Sequence, residues 1–193
     1  MKKITVISLL AVTAIYAVNE EPKKEMPPIV KEGVGYIKMM GKELKMNMKK
    51  HMKADKSGVA AAKFCSQKAT TIAQEVSKKY PKGVRVYRTS LKVRSDANKP
   101  DETDKKVLEN LQKEMDNKTF VKKPTVVKLE DGKTRVYVPL LVEKACVKCH
   151  GDTSKMNPEV KKIINERYPN DKAIGFKEGD LRGVIVAEMP NKK

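Results

Sequence analysis

Two cysteines three positions apart, with a histidine directly after the second, form Cys146-Val147-Lys148-Cys149-His150, and no other stretch constrains the chain as tightly. Two thiols at this spacing reach the two vinyl groups along one edge of a porphyrin. The adjacent histidine then turns under the ring and offers its imidazole to iron, so the pattern is the signature of c-type haem attachment. The whole chain has three cysteines and two histidines, so the motif is not a by-product of abundance.

Two other chemistries use these residues. A CxxC pair serves thiol–disulfide exchange when the first cysteine opens a helix in a βαβ setting, but here a hairpin precedes it. A zinc ion takes a Cys₃His set, and Cys65, Cys146, Cys149 and His150 would supply one. Against that, Cys149 and His150 are backbone neighbours and reach one small tetrahedral ion together only awkwardly.

The N-terminus speaks to compartment. Lys2 and Lys3 precede an apolar run, Ile4 to Ala17, and acids follow. The run is shorter than the roughly 18–20 residues that cross a bilayer and has the form of a secretory h-region. Residues 1–17 therefore read as a signal peptide, with the alternative of an uncleaved anchor because Ile15 is bulky where a small side chain is preferred. Export to the periplasm agrees with covalent haem, which is attached outside the cytoplasm.

Net charge is +18, and the loss of Lys2 and Lys3 with the signal segment lowers it by two to +16. Only six of the 42 basic residues are arginine, and aromatic residues make up 5% of the chain. Phosphate and base recognition favours arginine, and strand binding favours stacked aromatics, so nucleic acid is excluded as a partner. An acidic redox protein and an anionic membrane surface remain.

Residues 18–32 read as a charged, proline-bearing mobile leader. Ile37, Met40, Leu44 and Met48 recur at helical spacing within a lysine-rich helix over 34–52. Ser57 is the expected N-cap of a second helix running to Tyr80, with Ala61, Cys65, Ala69, Ile72 and Val76 on one inward face. GVRVYRTSLKV reads as a strand, and a capped helix follows over 101–115 with Val107, Leu108 and Leu111 inward. PTVVKLE and TRVYVPLLV form a hairpin across Asp131-Gly132. Asn157-Pro158 opens a helix to Arg167, and DLRGVIVAEM closes the chain as a strand. The order predicts an α+β fold, a small antiparallel sheet with flanking helices. Its divisions are 1–17 signal, 18–56 leader and lysine-rich helix, and 57–193 haem domain.

If His150 is one axial ligand of a haem, the residue on the other side sets the chemistry. Met189 lies far downstream, as in small cytochromes, but those place CxxCH behind a helix. Met156 is too close to reach the far face. His51, inside KKHMK, reads as a solvated side chain. Cys65 sits among alanines that would let a flat ring approach, and an unpaired thiol in an exported protein calls for a role.

AAKFCSQKA, RTSLKVRSDANKPDE, CVKCHGD and RYPNDKAIGFKEGDLRGVI, taken together, resemble the PAS-like c-type haem domain family over residues 57–189. The resemblance implies a PAS-like sheet and one haem c held by thioethers from Cys146 and Cys149. It implies axial ligation by His150 and by a cysteine, as in the family's structurally described cyanobacterial member, and Cys65 occupies the matching position. Arg88 and Arg94 match basic positions suited to haem propionates. The expected function is a periplasmic monohaem cytochrome transferring electrons at low potential, since a thiolate favours ferric iron. The alternative is a redox or gas sensor in which Cys65 is displaced by nitric oxide or carbon monoxide. No carboxylate pair or nucleophile triad accompanies the motif, so an enzyme is not expected, and the lack of an output domain in this sequence favours the carrier.

Overall fold

The computed structural model describes residues 25–190; the expected signal segment and the leader up to residue 24 lie outside them. Helix α1 (Pro28–Ala54) starts inside the stretch expected to be mobile. Pro28 explains why: at the first helical position its missing amide has no helical partner to lose and its fixed φ suits the helix. The apolar stripe also begins earlier than expected, at buried Val30, and continues through Ile37, Met40 and Leu44.

Two helices, α2 (Val59–Gln67) and α3 (Ala69–Ser77), replace the single helix expected over 57–80. The chain turns at Lys68, and the halves pack on different neighbours. Ala62 of α2 joins Met156, Val160 and Ile164, whereas Ala69 and Val76 of α3 join the core under α1. The cap also differs from expectation. Gly58 takes the left-handed cap conformation, and Asp55 Oδ2 accepts the Ala60 amide at 2.9 Å while Ser57 Oγ accepts that of Val59. Of the expected inward face, Ala61, Ala69 and Val76 are buried and Cys65 is exposed.

Four strands follow, β1 (Arg85–Thr89), β2 (Thr125–Lys128), β3 (Thr134–Leu141) and β4 (Leu181–Met189), all antiparallel in the order β1-β4-β3-β2. The Asp131-Gly132 hairpin forms as expected, with Gly132 at φ +80° and the Lys133 amide donating to Asp131 Oδ1. Helix α4 (Glu102–Asp116) is capped by Asp101, which accepts the Asp104 amide at 2.8 Å. A single turn, α5 (Val147–His150), follows β3, and α6 (Pro158–Arg167) is capped by Asn157. The α+β class and PAS-like sheet are as expected.

Alternation along the strands sorts the core into two layers. Val86, Val136, Ile185, Ala187 and Met189 face α1 and α3. Tyr137, Val184 and Val186 face Val107, Leu108 and Leu111 of α4. Gly33 lets α1 approach closely, since a Cβ there would stand 2.8 Å from Val136 Cγ2 and 2.9 Å from Met189 Cε. The core thus runs across the boundary drawn at 56/57.

Candidate functional site

The CxxCH segment is held as one helical turn. The Cys149 and His150 amides donate to the Cys146 carbonyl at 3.1 and 2.9 Å, and the Gly151 amide to Val147 O at 2.9 Å. Residues at i and i+3 of a turn are neighbours, and Cys146 lies near enough to Cys149 to add to its pKa shift. Gly151 is required by close approach: a Cβ there would lie 2.5 Å from Val147 O.

Residues 171–176 return alongside this turn. His150 Nδ1 lies 2.8 Å from the Ala173 carbonyl. A carbonyl only accepts, so Nδ1 carries the proton and Nε2 keeps a free lone pair, the tautomer a metal-ligating histidine adopts when its other nitrogen donates to a carbonyl. The Phe176 amide donates to His150 O and the Gly175 amide to Gly151 O, both at 2.9 Å. The Phe176 ring stands edge-on to the imidazole at 6.3 Å. Burial, reinforced by Arg94 and Arg182, holds the imidazole pKa well below its ordinary range and keeps it neutral.

Arg94 braces the arrangement. Its Nη2 donates to Cys149 O at 2.5 Å and to Ala173 O at 3.3 Å, and its guanidinium pairs with Asp171 through Nε at 3.1 Å and Nη2 at 3.0 Å. Arg88 differs, with no hydrogen bond or ion pair among the described residues; burial lowers its pKa, and the field of Cys65 opposes that. Arg182 lies over Phe176 at 5.3 Å and donates to Lys92 O at 3.1 Å. Burial, with Arg94 and Arg88 nearby, lowers its pKa to about 10.

Cys65 is open to water, yet burial still raises its thiol pKa, opposed by Arg88 and Arg94. Neighbouring atoms therefore crowd the thiol although water reaches it. Cys149 is raised to about 11, chiefly by burial, and Cys65 lies near enough to add to that shift. Cys65, Cys149, Arg88 and Arg94 therefore share one neighbourhood.

A sequence model of the Tll0287-like family matches residues 7–190. The chain belongs to the Tll0287-like family. Among solved structures it is similar to that of the cyanobacterial haem-protein Tll0287, at 20% identity and a TM-score of 0.64, over 88% of this chain and 99% of that one. At that identity the likeness is one of fold. No curated protein matches the sequence.

In this Tll0287-like chain the other candidates for a second ligand are occupied elsewhere. Met189 is 2% exposed in the core under α1. Met156 is buried between α2 and α6. His51 is not the solvated side chain expected; it stacks on Phe64 at 4.7 Å and 22°. The Cys₃His zinc set is not assembled either, since no group of three or more His, Cys, Asp or Glu among the described residues could hold a metal ion.

The donors fit a haem. Two free thiols share one turn, a neutral imidazole presents Nε2, and a third thiol lies in the same neighbourhood. Arg88 and Arg94 lie close enough to lower the Arg182 pKa, and the one carboxylate among them, Asp171, pairs with Arg94, leaving an excess of positive charge suited to two propionates. Arg88 and Arg182 have donors to spare, whereas much of Arg94 is engaged by the protein. The bracing by Ala173, Asp171 and Phe176 was visible in sequence only inside the run that carried the family resemblance. Nothing in RYPNDKAIGFKEGDLRGVI marks Ala173 as the acceptor for His150, because a backbone carbonyl acts whatever its side chain.

Proposed function

We propose that the chain is a monohaem c-type cytochrome of the periplasm, with haem joined to Cys146 and Cys149 and iron between His150 and Cys65. Bound haem supplies one-electron chemistry. The protein's own residues orient it: the Cys146–Cys149 turn fixes one edge, Ala173 O sets the His150 tautomer, Arg94 and Asp171 hold that turn and acceptor together, and Arg88 and Arg182 meet the propionates. The observation that carries this reading is the hydrogen bond from His150 Nδ1 to Ala173 O, which prepares Nε2 as a ligand inside a CxxCH turn. Thiolate ligation by Cys65 would favour ferric iron and a low potential, which suits electron transfer to a redox partner without catalytic turnover.

Absorption and electron-spin spectra of the protein matured with haem test the assignment. Expected are one covalently bound haem per chain and a low-spin ferric thiolate signature that Cys65→Ser removes while attachment persists. An unchanged spectrum in Cys65→Ser would refute the thiolate. Cys146→Ser and Cys149→Ser should each lose a thioether.

The solvent-open position of Cys65 favours a second reading, in which this side chain takes up a proton and leaves as part of a redox or gas response. Carbon monoxide binding by the reduced protein, compared between wild type and Cys65→Ala, separates the two. A rate that the substitution leaves unchanged rules out a Cys65 switch.

A further inference from the structure

The outward side of α1 is chemically one-sided. Its exposed charged residues are seven lysines, 31, 38, 42, 45, 49, 50 and 53, against one glutamate, Glu43. Lys45 turns aside to pair with Glu143, and Glu43 is engaged by Asn47. Lys38, Lys42, Lys49, Lys50 and Lys53 form no ion pair among the described residues. At 100° per residue, Lys42, Lys49, Lys50 and Lys53 flank a line through Met39 and Met46, which are 42% and 54% exposed. The helix spans about 40 Å at 1.5 Å per residue, and its opposite side is consumed by the core.

We propose that this side of α1 docks the protein on an anionic lipid surface, the lysines meeting headgroup phosphates and Met39 and Met46 dipping among them. The composition favours lipid over a protein partner. Protein interfaces concentrate arginine and aromatic anchors and are depleted in lysine, and this side of α1 has no arginine. Evenly spread lysines, each attracted independently, suit a fluid sheet of negative charge. The geometry adds a consequence: Lys45 pairs with Glu143, and Lys148 donates to the Lys56 carbonyl, so the C-terminal half of α1 adjoins the CxxCH turn. Docking brings that turn close to the bilayer. The inference does not depend on haem, because the apoprotein presents the same side.

Co-flotation of the full chain with vesicles tests it, using phosphatidylcholine alone and phosphatidylcholine with about 30 mol % phosphatidylglycerol. Expected is a preference for the anionic vesicles that falls steeply toward about 0.5 M salt, where screening shortens the reach of each charge. Any insertion of the apolar run at 4–17 would appear equally with neutral vesicles and drops out of the difference. Lys42→Glu/Lys49→Glu/Lys53→Glu should cut the preference on the order of a hundred-fold, while Lys105→Glu/Lys106→Glu/Lys113→Glu on α4 should leave it within a few-fold. Glutamine at the same three α1 positions gives an intermediate loss and guards against a misfolded triple variant, with circular dichroism as the check. Equal flotation with both lipids, an undiminished α1 variant, or saturable capture by an acidic protein without any anionic-lipid preference each overturns the proposal.

Discussion

Helices α1 and α4 cover opposite faces of the same four strands by opposite means. Under α1 the contact is apolar throughout, Val30, Ile37, Met40 and Leu44 on Val136, Ile185, Ala187 and Met189, tightened at Gly33. Under α4 a polar network runs through the layer. Asp104 Oδ1 accepts from Tyr87, Tyr137 and Arg135 at 2.9, 3.0 and 3.1 Å. Arg135 also reaches Asp101 at 2.6 Å and, through Nε, Glu188 at 2.7 Å, its register partner across β3–β4. Apolar contact is strong and tolerant of sliding; a buried, fully satisfied carboxylate accepts one register and penalises the rest. Outside, the helices invert these roles: α4 exposes three lysines and three acids, while α1 exposes its one-sided lysine face. The helix with the plain inner face carries the specialised outer one.

The sharpest way to break the contrast is Asp104→Ala. It strands Tyr87, Tyr137 and part of Arg135, and should cost about 3–5 kcal/mol in urea unfolding, the range for removing one partner of a buried charge pair. Met40→Ala, on the other face, should cost about 2–4 kcal/mol through lost burial and a cavity, without shifting any polar partner. Gly33→Ala should cost about 1–3 kcal/mol by overpacking Val136 and Met189. The smallest effect is with pH. Burial opposes ionisation of Asp101, but the Asp104 amide and Arg135 outweigh it and hold the carboxyl below its ordinary 3.8. Its stabilising contribution is complete above 3.8 and fades as pH falls through the lower folded value. Hydrogen exchange near pH 3 should therefore show α4 amides losing protection before those of α1.

Much of this plan was legible because it is periodic. The stripe on α4, the Asp131-Gly132 turn and the CxxCH spacing are local patterns that form where expected, and the stripe on α1 does so except that it starts earlier, at Val30. The break at Lys68 was not legible, because no glycine or proline marks it; two different packing partners impose it. Asp104 reads in sequence as an ordinary acid in the first turn of a helix, and only the fold shows two tyrosines and an arginine converging on it. At the site, Cys146, Cys149 and His150 stand out by spacing, whereas Arg182 becomes part of the cluster only when β4 lies beside β1.

The CxxCH turn and helix α2 are both tied into the fold across long stretches of sequence. The turn bearing Cys146, Cys149 and His150 is closed by hydrogen bonds spanning four residues or fewer, yet it is fixed in place by Arg94 across 55 positions and by the Phe176 amide. The helix bearing Cys65 is likewise held from afar, by Arg167 Nε on Ser66 O across 101 positions, and contacts at such separation form late. Both sides of the site are thus completed by contacts that close long loops, so the site is a product of the folded chain. Cys65 and Cys149 meet only in the assembled fold, and their proximity is a readout of its integrity.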